Sequence, residues 1–178
     1  MIKDNGKYLG SIMMFGFGLL AFYRWQQTNL IFFLLLVLRD FVAGYFFLKR
    51  ESAQVTSGKL VSFIAYLSSA MPLLYFGPDH ATKEMLLASD TLAIVGFLFV
   101  ALATIELGTS IGISPAKRSL VKSGIYKWVS HPMYVGYALS ELGMSVINPK
   151  NIFIFCIAMM LYLQRAKFEK RLLTATVE

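Results

Sequence analysis

The stretch LIFFLLLVLRDFVAGYFFL, residues 30–48, decides the fold. It is apolar on every face except at Arg39 and Asp40, and it has the length a helix needs to cross a hydrocarbon layer of about 30 Å. Comparable blocks run from Leu9 to Tyr23, Leu60 to Phe76, Thr91 to Leu107, Met133 to Ile147 and Ile152 to Leu163, divided by short polar connections. With 57% hydrophobic and 15% charged residues among 178, and a mean hydropathy of +0.61, water is excluded as the main solvent of this chain. The expected fold class is all-α, a polytopic integral membrane bundle of five to six membrane helices with the last two as a hairpin. Met1 to Tyr8 is short and polar and no small-residue cleavage site follows, so the first block is read as a retained span. Residues 1–178 are expected to make a single membrane domain. Its 1–107 part carries four helices, and 108–178 carries a cofactor-binding loop, the hairpin and a cytosolic tail.

Basic residues orient such a chain, because basic loops stay on the cytoplasmic side. Alternate connections collect Lys3, Lys7, Lys49, Arg50, Lys59, Lys117, Arg118, Lys122, Lys127, Arg165, Lys167, Lys170 and Arg171 on one side. Only Arg24, Lys83 and Lys150 fall on the other. This split of 13 to 3 predicts a multi-pass protein with both termini cytoplasmic. The net charge of +7 is spread between apolar blocks, where it meets anionic lipid headgroups, so no nucleic-acid partner is expected. Cys156 is the only cysteine and lies in an apolar run, which leaves no disulfide and reads as a buried small apolar residue. His80 and His131 fall on opposite sides, so no metal site is expected.

Chemistry is expected after the fourth block, where the longest polar connection leads into LVKSGIYKWVSHPMYVG, residues 120–136. Pro132 suits the first turn of a helix, which puts His131 at the N-cap, near the positive end of the helix dipole, where a carboxylate can be received. Gly124 allows close backbone approach to a ligand, and Gly136 allows a neighbouring helix to come near. Equally, His131 can be an interfacial polar residue and the glycines packing devices. Asn148 to Asn151 is a turn signal between the fifth and sixth blocks. His131 lies about 17 residues before that turn and Arg165 about 15 after it, roughly 25 and 22 Å along two helices, so both return to one depth. Arg165 and Glu169 share a helix face, either pairing as a surface ion bridge or closing over the loop that holds His131.

The order Leu-Val-x-Ser-Gly-x-Tyr-x-Trp-x-x-His-Pro-x-Tyr-Val-Gly, an apolar stretch, Asn-Pro, a second apolar stretch and Arg-x-x-x-Glu resembles the isoprenylcysteine carboxyl methyltransferases and their phospholipid-methyltransferase relatives. The resemblance covers about Leu120 to Leu173. It implies methyl transfer from S-adenosylmethionine at the cytosolic membrane face. The implied cofactor contacts are Leu120, Val121, Gly124, Tyr126, His131, Pro132, Met133 and Tyr134, with Glu169 from the tail. Arg165 and Glu169 are the implied catalytic pair, Arg165 orienting an anionic acceptor. Ser130 stands where the family usually has Arg, and Phe168-Glu169-Lys170 holds one carboxylate where the family has paired acids. The acceptor class stays open among a lipid-modified cysteine, a phospholipid amine and another lipophilic small molecule.

Arg39 and Asp40 sit in mid-span, where a lone charge costs at least a few kcal/mol, so they should face the bundle interior. As sequence neighbours they point in different directions and are not expected to pair only with each other. Either one of them contacts Glu141 or the acceptor, or they clamp helices together. Two other classes compete with the methyltransferase: a non-catalytic transporter or lipid-binding protein, and a nicotinamide-dependent reductase of the sterol-reductase type.

Overall fold

The computed structural model describes residues 6–50, 55–114, 116–117 and 121–174. Six helices follow one another: α1 Gly6–Thr28, α2 Ile31–Lys49, α3 Lys59–Ala70, α4 Lys83–Leu107, α5 Pro132–Ile147 and α6 Asn151–Thr174. Among the described residues the bundle is therefore all-helical apart from one two-residue antiparallel pairing, β1 Val55–Thr56 with β2 Ala116–Lys117. That pairing ties the α2–α3 connection to the loop ahead of α5.

Among the described residues, three helices are long and apolar enough to cross a membrane: α2, α4 with the turn after it, and α6. Their outward faces carry Leu98, Ile105, Phe153 and Leu163, all exposed, as expected of side chains that meet acyl chains rather than water. The chain is thus an integral membrane protein. The sixth apolar block is short in the sequence, yet α6 continues through its polar end to Thr174, about 36 Å in all. The third block is not one helix. Pro72 cannot supply the N–H that an α-helix would need there, so α3 ends at Ala70 and a 3-10 turn, Met71–Leu74, takes over.

Two helix pairs form the frame. In the α1–α2 hairpin Phe47 lies against Gly10, Phe41 against Gly18 and Phe15 against Gly44, and the Ser11 hydroxyl donates to the Gly44 carbonyl at 2.8 Å. In the α4–α5 pair the small residues Gly96, Gly136, Ser140 and Gly143 let the two backbones touch, which is the role expected of Gly136. An aromatic core with Phe32 edge-on to Phe33, Tyr75 and Phe97 joins the pairs. At the far end of the hairpin the Asn-Pro turn is a mooring. Asn151 accepts from the Phe76 amide at 2.8 Å and donates to the carbonyls of Phe76 at 3.0 Å and Met144 at 2.8 Å, while Asn148 donates to the Gly77 carbonyl at 2.8 Å.

At the other end the connection after α4 folds beneath the bundle. Ile111 and Ile113 insert among Met14, Ala43, Phe47 and Ala65. Cys156 does not take the buried position expected of it. It lies exposed on the outer face of α6, because that helix turns only part of its apolar surface inward.

Candidate functional site

His131 is the N-cap residue of α5 and Pro132 its first helical residue, as the sequence predicts. The His131 carbonyl accepts from the amides of Tyr134 and Val135 at 3.1 and 3.3 Å, but its imidazole makes no capping bond and is left for other partners. One is the tail: Glu169 Oε2 of α6 lies 3.4 Å from His131 Nδ1. Glu169 also accepts the hydroxyl of Tyr134. The Tyr134 ring is stacked between His131, with centroids 5.4 Å apart, and Tyr162, at 5.6 Å and 8° between planes. The start of α5 and the end of α6 therefore meet at one depth, the consequence of two antiparallel helices of matched rise about a short turn.

Arg165 and Glu169 share a face of α6 but form no surface ion bridge with each other. Arg165 is buried, donating to the Ser68 hydroxyl at 3.0 Å and the Ile113 carbonyl at 2.8 Å, with its guanidinium 5.2 Å from the Tyr134 ring centre. It thereby fastens the α4–α5 connection to α3 and α6. Glu169 turns to the helix entrance, where His131 and the Tyr134 hydroxyl are its partners.

The loop in front of α5 is held by a second carboxylate. Glu106, near the end of α4, accepts the Ile125 amide at 3.0 Å through both oxygens. Gly124 takes φ +50° and lies so close to the Glu106 carboxylate that no side chain fits. Its close approach is thus to the protein's own carboxylate. Next to it Tyr126 is pulled inward, and burial pushes its hydroxyl above the usual tyrosine range, helped by Tyr137, Glu169 and Glu106 nearby.

A cavity of about 470 Å³ opens between these elements. Val121, Tyr126, His131, Met133, Tyr134, Arg165 and Glu169 line it, so seven of the residues singled out in the sequence converge on one space. Gly124 and Pro132 stand behind the wall rather than in it, and Leu120 lies outside the described residues. Ser130 and Lys170, the two positions that depart from the family pattern, line the same cavity.

Residues 1–107 contribute Met14, Arg39, Phe47, Ser69 and Thr104 to the wall, and Tyr137 and Tyr162 line it as well. Of these only Arg39 carried a signal in the sequence, as a charge in an apolar block. Arg39 and Asp40 do pair with each other, Nε to Oδ1 at 2.8 Å, although adjacent residues on a helix were expected to diverge. The long arginine side chain bends back along its own helix, and its guanidinium comes to lie 5.3 Å from the Tyr137 ring centre. Glu141 bonds neither of them. It accepts the hydroxyls of Tyr75 at 2.9 Å and Tyr162 at 2.5 Å, completing a buried polar knot between α5, α6 and the segment after α3.

Chemically, a charged and aromatic rim over a partly apolar cavity can hold an amino-acid-like ligand with a flat ring and keep bulk water away. No curated protein and no solved structure matches the chain. Residues 91–175, which run from α4 through α6 and contain the loop, the helix entrance and the tail just described, match the model of the isoprenylcysteine carboxyl methyltransferase (ICMT) family.

Proposed function

We propose that this protein transfers a methyl group from S-adenosylmethionine to a lipophilic, membrane-dissolved acceptor of the isoprenylcysteine carboxylate kind at the cytosolic membrane face. The observation that carries the reading is Glu169 of α6 reaching back to His131 and Tyr134 across the mouth of a cavity built from the matched stretch.

The lining residues suit that donor. The cavity lies within the range of about 300–1,000 Å³ typical of small-molecule sites. Tyr126 and His131 offer flat faces to a purine, Tyr134 backs the His131 ring, Glu169 offers a carboxylate to an ammonium or a ribose hydroxyl, and Val121 and Met133 offer apolar walls. When bound, the donor supplies a methyl group already activated on a sulfonium, so the acceptor needs little acid–base help. The protein's share is then alignment and exclusion of water. Glu169, pinned by two partners, keeps one wall fixed, and Arg165, held by Ser68 and Ile113, keeps a positive charge facing the reacting end of an anionic acceptor. Residues 108–178 form the donor-binding part and 1–107 the membrane frame that closes its floor. The 13 to 3 split of basic residues favours both termini, and with them this cavity, on the cytosolic side.

Calorimetry of S-adenosylhomocysteine binding to the purified protein tests the reading. Wild type should bind in the micromolar range, and His131→Ala and Glu169→Ala should each weaken binding at least tenfold, about 1.4 kcal/mol. Absence of binding to well-folded wild type overturns it.

A further inference from the structure

Among the described residues, the exposed charged side chains at the cavity end of the bundle are all cationic, Lys49, Lys59, Lys122, Lys127 and Lys167 among them. The two carboxylates described there, Glu106 and Glu169, are half-buried and turned to protein partners. The loop before α5 lies at this end. Its Ile125 amide is bonded to Glu106, a residue inside the apolar span Lys83–Ser110, so the loop is drawn against the last turns of that span. Trp128 follows directly, with its amide on the Ile125 carbonyl at 3.1 Å. Its side chain is 83% exposed, more than any other large apolar side chain described. The Lys127 ammonium lies 5.7 Å from the centre of its ring.

In water that ring would leave its whole apolar area uncovered. At headgroup depth the ring meets the acyl boundary while its N–H stays wet, which is why tryptophan collects at membrane borders. A neighbouring ammonium gains from anionic headgroups at the same depth. The segment also has an inward face. Val121, Tyr126, Ser130 and His131 line the cavity, whereas Lys127 and Trp128 do not. Tyr126 and Trp128 are two residues apart across the 3-10 turn Gly124–Lys127, so holding the outer face in place also holds the inner one.

Resting on the methyltransferase reading, we propose that the Lys127–Trp128 face of this loop docks into the anionic headgroup layer of the surrounding bilayer, and that this docking strengthens donor binding. The occupant is lipid, because the ring stands at the border of a membrane span and the exposed charge around it is of one sign. Lipid raises donor affinity only by as much as the donor-bound loop prefers the surface over the empty loop. The attraction of one lysine to an anionic surface sets that gain at about fivefold or less.

Two measurements on protein in vesicles test this. Trp25→Phe leaves Trp128 as the only tryptophan, and its fluorescence reads the depth of the loop. Lipids brominated next to the headgroup should quench it more than lipids brominated at the chain end, and acrylamide in the water should quench it less than free tryptophan. In the second measurement, S-adenosylhomocysteine affinity should rise about threefold to fivefold when phosphatidylglycerol is mixed into phosphatidylcholine, and the gain should fade at high salt. Lys127→Glu should match wild type in phosphatidylcholine alone and lose the gain. Soluble glycerol phosphate added to phosphatidylcholine vesicles should give no gain, which separates a lipid surface from a free anion. A Trp128 ring open to acrylamide and untouched by brominated lipid overturns the inference. So does equal affinity of wild type in the two vesicles, a full gain in Lys127→Glu, or a gain from soluble glycerol phosphate. Failure of S-adenosylhomocysteine to bind wild type in either vesicle overturns instead the methyltransferase reading, and the depth of Trp128 then decides the docking by itself.

Discussion

Replacing Asn151 by Ala tests whether the hairpin turn holds the fold without taking part in the site. Asn151 is fully buried and makes three hydrogen bonds, one accepted from the Phe76 amide and two donated to the Phe76 and Met144 carbonyls. Each bond contributes about 1 kcal/mol net, and each backbone group left buried without a partner costs about 1–3 kcal/mol. The three lost bonds set a loss of about 3 kcal/mol, and partial solvation of the freed Phe76 groups keeps it below about 5 kcal/mol. At about 2–4 °C per kcal/mol for a protein of this size, Tm in detergent should fall by roughly 6–20 °C. The turn lies at the opposite end of α5 and α6 from His131 and Glu169. Below the melting transition, S-adenosylhomocysteine affinity should therefore stay within twofold of wild type. A Tm within 2 °C of wild type would refute the hydrogen-bond account, and a tenfold loss of affinity in the still-folded variant would refute the separation of turn from site.

Gly136→Ala would place a methyl 2.5 Å from the Gly96 carbonyl oxygen and 3.0 Å from the Val100 amide, backbone atoms that cannot swing aside, so α4 and α5 must part. A loss of about 1–3 kcal/mol is expected in the thermal transition. Gly124→Ala forces a side chain into the left-handed region and against Glu106, and calorimetry should show donor affinity reduced about tenfold as the loop shifts, with stability less affected. Glu141→Leu leaves the buried Tyr75 and Tyr162 hydroxyls without an acceptor and should destabilise by about 1–3 kcal/mol for each, whereas Glu141→Gln keeps one acceptor oxygen and should lose about half as much. Lys150→Ala removes the exposed bridge to Asp79 at 3.2 Å and should change stability by less than about 1 kcal/mol in the same assay.

Much of the site could be read along the chain because its parts are local. The His-Pro helix start is a property of adjacent residues: a proline that needs no N–H and a residue in front of it at the cap. The return of Glu169 to His131 follows from counting rises along two helices about an Asn-Pro turn. The membrane character follows from apolar blocks whose lengths match a bilayer. What each carboxylate would bond was not legible. Glu106, Glu141 and Glu169 look alike in sequence, yet one holds a loop amide, one joins two tyrosine hydroxyls and one faces a histidine. The choice depends on which donors lie within about 3 Å after the helices have packed, and no periodicity encodes that distance.

By itself, then, the sequence determined that the chain is a helical membrane bundle, where its last two helices turn and which short run comes to line the cavity, since hydropathy, proline and glycine act over one or two turns of helix. Only the tertiary structure decided that Arg165 braces Ser68 and Ile113 rather than pairing with Glu169, and that Arg39 folds back onto Asp40 beside the Tyr137 ring. Those outcomes join residues dozens of positions apart. They are set by close packing of six helices, in which each buried charge settles on whichever partner the assembled bundle brings within reach.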